Sequence, residues 1–167
     1  AREQPIVVAA LAVVAVGVAV ILGAYYFQYV LNYLPCPLCY EQRYPYYVAI
    51  PVGLLVAAGA WFGAPRWLLM AGLAVMAVAL LWNTGLATYH AGIEWKWWEG
   101  PKDCSAPMSS LGSAGGLMSQ LQNINVVRCD EAAWRFLGLS LAGWNVPISL
   151  GLALVSLWGI AQARRAA

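Results

Sequence analysis

The sequence predicts an all-α polytopic membrane protein, a bundle of four transmembrane helices within one membrane domain that covers residues 1–167. The composition is 62% hydrophobic and only 10% charged, whereas soluble domains carry about 25% charged residues. Four apolar stretches each approach the ~20 residues that cross a bilayer. The predicted spans are residues 6–29, 44–62, 67–89 and 144–162.

The first span is strongly apolar, because residues 6–24 contain no charged side chain and Tyr25, Tyr26 and Phe27 follow directly. A secretory signal is the alternative for such a stretch near the start of a chain. Signal h-regions are only about 7–15 residues long, and no small-x-small cleavage site precedes a soluble domain here. We therefore expect the stretch to remain in the protein as a helix.

The second span is shorter and contains Pro51, so we expect a kink or a tilt there. Neighbouring helices tolerate such a proline by satisfying the carbonyl group that it leaves free. The long segment at residues 90–143 is the only sizeable aqueous region. Within it, the apolar residues of 108–124 recur near helical spacing among Ser and Gln, which predicts a short amphipathic helix lying on the membrane.

Basic residues predict the orientation of the bundle. Arg2 precedes the first span, Arg66 lies in the tight turn between the second and third, and Arg164 and Arg165 follow the fourth. Because short cytoplasmic segments carry the excess of Arg and Lys, both termini should be cytoplasmic and the other two loops extracytoplasmic. The net charge of +2 and the lack of a basic run argue against a nucleic-acid partner.

All four cysteines fall on the predicted outer side. Cys36 and Cys39 form a CxxC at the membrane surface, and Cys104 and Cys129 lie in the long loop. A CxxC closes a small ring, so its disulfide forms easily and keeps a resolving thiol nearby. Thiol–disulfide exchange needs accessible sulfurs that can form mixed disulfides. A tight pair at the membrane and a wide pair in a loop therefore suit a two-stage redox relay.

Two other interpretations of the cysteines remain open from the residues alone. The first is a pair of structural disulfides, which an oxidising compartment would allow. The second is a zinc site built from all four cysteines. The wide spacing of Cys104 and Cys129 does not form a second zinc knuckle, and Asp130 and His90 add little support. We therefore predict no metal site.

Two further residues are candidates for the site. Arg43 follows Cys39 by four residues, one helical turn if the helix begins that early, and its charge would favour the thiolate form of Cys39. The alternative is an interfacial arginine that reaches the headgroups. His90 is the only histidine and ends the third predicted span at the same membrane level. A lone interfacial histidine is often without catalytic function.

The residues around the cysteines resemble a known family. The run Pro-Cys-Pro-Leu-Cys-Tyr-Glu-Gln-Arg at 35–43 is similar to the signature of DsbB, the bacterial inner-membrane enzyme that reoxidises the periplasmic thiol oxidase DsbA and reduces quinone. A second match is Tyr-His-Ala-Gly-Ile-Glu-Trp at 89–95, and a third is the segment at 129–139 that leads into the fourth span. Motif, order and topology agree over nearly the whole chain.

The resemblance implies a quinone-dependent protein-disulfide oxidoreductase that generates disulfides de novo. Cys104–Cys129 would be the disulfide that accepts electrons from a DsbA-like, thioredoxin-fold partner, with Cys104 attacked first. The electrons would pass to Cys36–Cys39. Cys39 would face a ubiquinone or menaquinone, with Arg43 beside it and His90 near the same pocket. The resemblance also implies the bacterial inner membrane, with the active cysteines on the periplasmic side.

Two alternative functions are less consistent with the sequence. The vitamin K epoxide reductase-like group is also helical and quinone-linked, but its CxxC comes late in the chain, after the loop pair, which is the reverse of the order here. A non-enzymatic scaffold with four spans, stapled by outer disulfides, belongs to a different class. Such a scaffold would tolerate loss of Arg43 and would show unreactive sulfurs.

Overall fold

Four long helices dominate the chain, as the sequence predicts. The computed structural model describes residues 4–100 and 129–165. A short helix, α2, precedes α3. Cys104 and the helix predicted at 108–124 lie outside the described residues. The helices are α1 (Gln4–Tyr25), α2 (Pro37–Glu41), α3 (Tyr44–Trp61), α4 (Arg66–Glu94) and α5 (Leu141–Arg165).

The helices pack as a bundle with an apolar surface and polar residues in its interior, as expected for a protein surrounded by lipid. Four spans, Gln4–Val30, Pro37–Trp61, Arg66–Glu94 and Leu141–Arg165, are long and apolar enough to cross a membrane. Large apolar side chains cover the outer surface, while Asn83, Ser149 and Ser156 are buried. Each of the three side chains donates a hydrogen bond inside the bundle, which a lipid-facing position would not allow. The all-α membrane fold is thereby confirmed.

Small residues let α3 approach its neighbours closely. A Cβ atom on Gly53 would lie 2.6 Å from Val14 of α1, and one on Gly72 would lie 2.3 Å from Val56 of α3. Both distances are too short for any Cβ atom, so glycine is required at these crossings unless the neighbours move. Close backbone approach strengthens van der Waals packing between helices in a membrane. These glycines therefore hold the bundle that carries the cysteines.

The C-terminal end of α1 widens into a single π-helical turn, Tyr26–Val30. The amide of Leu31 donates to the carbonyl of Tyr26 at 3.2 Å. Such turns often occur at functional sites because they redirect one side chain within an otherwise regular helix. Here the turn contains Gln28, whose side chain contacts Arg43 at the start of α3.

The helix ends near the cysteines differ from the predicted spans. Helix α4 continues to Glu94 rather than ending at residue 89, and α5 begins at Leu141 rather than at residue 144. Hydropathy underestimates the length of both helices, because their additional turns contain polar side chains that form hydrogen bonds inside the protein. His90 and Glu94 are 2% and 8% exposed. The site residue His90 therefore lies within α4 and not in the loop.

A two-stranded hairpin that the sequence did not predict leads into α5. Its strands, β1 (Arg135–Phe136) and β2 (Leu139–Ser140), pair antiparallel. Leu137 and Gly138, at the turn, have φ angles of 51° and 83°, as a type I′ turn requires. The hydroxyl of Ser140 then accepts the amide N–H of Gly143 at 3.0 Å, which satisfies a free donor at the start of α5.

Candidate active site

The CxxC lies where α2 begins. Cys36 is the N-cap residue, with an extended backbone, and Pro37 follows at the first helical position, where a proline is favoured. The first turn brings the two sulfur atoms to 3.1 Å, with the Cys36 thiol donating to Cys39. The local sequence therefore folds so that the two cysteines face each other.

Cys36 is the protonated member of this pair. The hydrogen bond to the Cys39 sulfur and the burial of the side chain raise the pKa of Cys36 to about 12. Burial disfavours a charged thiolate, and a hydrogen bond donated by the thiol stabilises its protonated form. The proton on Cys36 must therefore leave before the two sulfurs can join.

Cys129 lies against the CxxC. It is buried in a cluster with Cys36, Leu38 and Ile93, and Cys39 packs on the same cluster. The next residue, Asp130, forms an ion pair at 2.9 Å with Lys96, which lies just beyond α4. Exposed pairs of this kind contribute only about 0–1 kcal/mol. Three of the four predicted redox cysteines thus share one site.

His90 contacts the CxxC directly. Its Nε2 atom lies 3.6 Å from the Cys36 sulfur and 3.7 Å from the Glu94 carboxylate. Its Nδ1 atom lies 2.7 Å from the side-chain amide nitrogen of Gln42. The histidine is therefore closer to the chemistry than its position at the end of a predicted span suggested.

Arg43 is held by α1 and α2. Its Nη1 atom donates to Oε1 of Gln28 at 2.8 Å, and the guanidinium carbon lies 5.3 Å and 5.0 Å from the ring centres of Tyr25 and Tyr40. Arg43 is only 8% exposed, unlike an arginine that extends to the headgroups. Its hydrogen bond goes to Gln28 rather than to Cys39, although both Arg43 and Cys39 line the same cavity.

That cavity adjoins the cysteines and has a volume of about 270 Å³. Its walls combine apolar side chains of α1 and α5 with polar groups near the CxxC. Ligand sites for small aromatic molecules have this composition, with polar groups that orient the ligand. A groove of about 790 Å³ between α3 and α4 is lined by none of the three cysteines that the structure describes. Residues that line the cavity include Phe27, Cys39, Arg43, His90, Trp134 and Trp144.

The same residues raise the question of a metal. Ligand atoms of Cys36, Cys39 and His90 lie within 4.8 Å of one another, a donor set that zinc accepts. However, the Gln42 amide donates to Nδ1, so the proton of a neutral imidazole resides on Nε2. The nitrogen that faces the sulfurs therefore carries a proton in this arrangement, and a metal ion would have to displace it.

Three residues at the site had no role assigned from the sequence. Glu94 and Asn145 are polar residues in helices that span the membrane, and Gln42 follows the CxxC closely. Each takes part in hydrogen bonds or an ion pair near His90. A polar residue in a span is a functional candidate by default, and that signal could have identified Asn145.

Comparisons with known proteins point to one family. A model of the family described as Disulfide bond formation protein DsbB matches residues 7–159. Disulfide bond formation protein B of Xanthomonas axonopodis pv. citri is 32% identical over 152 residues, 85% of this chain and 83% of the relative.

Two further relatives carry the same name. The protein of Hahella chejuensis is 28% identical over 165 residues, 89% of each chain. The protein of Nitrosococcus oceani is 27% identical over 145 residues, 80% of this chain and 78% of the relative. No solved structure matches the chain.

Proposed function

Since this chain belongs to the DsbB family of membrane disulfide-bond formation proteins, we propose that it reoxidises a DsbA-like, thioredoxin-fold thiol oxidase and passes the electrons to a membrane quinone. One observation carries the proposal: Cys36, Cys39 and Cys129 share a buried cluster beside an apolar cavity that Arg43 and His90 also line. This arrangement joins a thiol relay to a site for a lipid-soluble acceptor.

The relay takes place as two thiol–disulfide exchanges. A thiolate of the reduced partner attacks Cys104 of the Cys104–Cys129 disulfide, and the second partner thiol then resolves the mixed disulfide. The partner leaves with a disulfide, while Cys104 and Cys129 gain two electrons and two protons. Cys129 next attacks Cys36, and Cys39 leaves as a thiolate. Cys104 then attacks Cys129, which re-forms the Cys104–Cys129 disulfide and releases Cys36 as a thiolate. The burial of Cys129 against Cys36 supports this second exchange.

Reoxidation of Cys36–Cys39 then needs an acceptor for two electrons and two protons. A quinone supplies that chemistry when bound, because it leaves as the quinol. The cavity fits such a ring, since its walls are mainly apolar and aromatic with a cation and a histidine at one end. Arg43 would donate to a ring oxygen, and His90 would lie beside the Cys36 sulfur as that thiol loses its proton.

The proposed setting is the bacterial inner membrane, with the cysteines periplasmic and both termini cytoplasmic. Arg66, at the start of α4, donates to the carbonyl of Ala163 near the end of α5. Arg164 and Arg165 are in the last turn of α5, so these arginines share one end of the bundle. The CxxC follows the other end of α1. The segregation of charge supports this orientation.

Turnover by the purified protein tests the proposal. The protein in detergent would be mixed with a reduced thioredoxin-fold thiol oxidase, and with ubiquinone or menaquinone in separate reactions. We expect loss of quinone absorbance together with disulfide formation in the partner, and no reaction with Cys36→Ser. A protein that leaves the partner reduced with both quinones would contradict the proposal and favour a scaffold with structural disulfides.

A further inference from the structure

A chain of side-chain hydrogen bonds crosses the bundle and ends on His90. The hydroxyl of Tyr46 donates to Oδ1 of Asn145 at 2.6 Å. Nδ2 of Asn145 donates to Oε1 of Gln42 at 2.7 Å. Nε2 of Gln42 then lies 2.7 Å from Nδ1 of His90. The chain connects α3, α5, the link between α2 and α3, and α4.

The direction of this chain follows from the donors at its far end. Both the Tyr46 hydroxyl and Nδ2 of Asn83, at 3.4 Å, point to Oδ1 of Asn145. Oδ1 of Asn145 accepts both hydrogen bonds, and the NH₂ group of Asn145 faces Gln42. The oxygen of Gln42 accepts that bond, and the NH₂ group of Gln42 consequently faces His90.

The direction determines which nitrogen of His90 carries the proton. Because Gln42 donates to Nδ1, that atom accepts, and a neutral imidazole holds its proton on Nε2. The Nε2 atom lies 3.6 Å from the Cys36 sulfur. The edge of the ring that meets the CxxC is therefore an N–H donor.

We propose that Gln42 and Asn145 are positioning residues, which hold His90 in the Nε2–H tautomer so that this N–H stabilises negative charge on the Cys36 sulfur during disulfide exchange. This inference rests on the proposed function for its role in turnover, but its structural part stands on the hydrogen bonds alone. A hydrogen bond donated to a thiolate is charge-assisted and therefore stronger than one to a neutral thiol.

Burial restrains most of the chain. Gln42, Tyr46 and His90 are 6%, 1% and 2% exposed, and Asn145 is half-buried. A buried polar group that loses its partner finds no water to replace it, which favours the observed arrangement of these side chains. The Asn145–Gln42 pair, 103 residues apart, therefore holds the imidazole from a separate helix.

Other ionisable groups also face His90. Glu94 lies on its own helix, where its carboxylate accepts a hydrogen bond from Ser140 and lies 3.7 Å from Nε2 of His90. Cys36 and Cys39 face the ring from the segment before α2 and from α2 itself, while Arg43 and Glu131 line the same cavity. Because Glu94 competes with Cys36 for the same N–H, the tautomer itself is the property to measure.

Nitrogen NMR provides the direct test, because the chain has one histidine and ¹⁵N-histidine labelling yields a single imidazole. In the full-length protein we expect a protonated Nε2 and an unprotonated Nδ1. Asn145→Leu and Gln42→Leu should give averaged shifts of two tautomers. Ser149→Ala is the matched control, since Ser149 bonds to Thr84 and its own helix, and it should leave the spectrum unchanged.

Gln42→Glu provides a second variant with the opposite effect. A carboxylate only accepts hydrogen bonds, so it should draw a proton to Nδ1 of His90. Without quinone, single-turnover electron transfer from the reduced partner to the oxidised CxxC should slow about 10-fold in Asn145→Leu, which corresponds to about 1.4 kcal/mol. Ser149→Ala should keep the original rate.

The outcomes separate the inference from the proposed function. A protonated Nδ1 in the unsubstituted protein would overturn the inference. So would a loss of the Nε2–H tautomer in Asn145→Leu without any change in rate. Failure of the unsubstituted protein to oxidise any partner, with Nε2–H still observed, would contradict the proposed function and leave the tautomer assignment supported.

Discussion

Replacing Arg43 separates the effect of its charge from the effect of its position. Arg43→Ala removes the cation, and Arg43→Lys keeps the charge but removes the planar guanidinium that stacks on Tyr25 and Tyr40. Gln28→Ala leaves the guanidinium intact and removes the oxygen to which it donates at 2.8 Å. The three variants therefore test charge, shape and anchoring one at a time.

The contacts allow rough magnitudes for these effects. A hydrogen bond to a charged group contributes about 1.5–3 kcal/mol, and a cation–π contact about 0.5–2 kcal/mol. Loss of a charged donor to the quinone in Arg43→Ala should therefore raise the quinone KM about 100-fold, since each tenfold change is about 1.4 kcal/mol. Arg43→Lys and Gln28→Ala should each raise it about 10-fold, because the cation remains but is no longer held in place.

Two measurements determine the result. Steady-state rates at increasing quinone concentration give the KM, and quenching of tryptophan fluorescence gives quinone affinity without turnover, because Trp134 and Trp144 line the cavity. Arg164→Ala, an exposed arginine at the other end of α5, is the control and should change neither value. If Arg43→Ala leaves both values unchanged, Arg43 is only an interfacial anchor and our reasoning is wrong.

Three other predictions concern the cysteines and the end of α4. Cys104→Ala should abolish electron uptake from the partner, while the CxxC still reacts with quinone. Cys129→Ala should trap a mixed disulfide between the partner and Cys104, which non-reducing gels would detect. A partner trapped on the CxxC instead would contradict the division into two pairs. The pKa of Cys36 is raised from 9.0 to about 12, so the rate of its alkylation in the reduced protein should keep rising well above pH 9. Mass spectrometry would measure that rate, and a plateau near pH 9 would show that the environment does not raise the pKa. Gly92→Ala should lower the Tm, since its Cβ would lie 2.1 Å from a tryptophan ring, whereas Gly85→Ala meets nothing within 4 Å and should not; equal Tm values would show that the ring moves freely.

The sequence was sufficient for the features that depend on local pattern. Four spans follow from runs of apolar residues, and the structure and the family comparison confirm the helical membrane fold and the resemblance to DsbB. The CxxC was also visible, because residues three apart at the start of a helix meet without help from the rest of the chain. Its redox role and the roles of Arg43 and His90 stay predictions.

Tertiary structure decided the surroundings of each site residue. Cys129 reaches Cys36 across 93 positions, and Asn145 reaches Gln42 across 103. No local pattern encodes such contacts, because they depend on which helix faces pack together. Hydropathy also ended the third span too early, because it counts His90 as unfavourable in a membrane span whether or not the side chain forms hydrogen bonds there. Side chains buried by distant helices can be polar at membrane depth, and only the packed bundle shows where those partners lie.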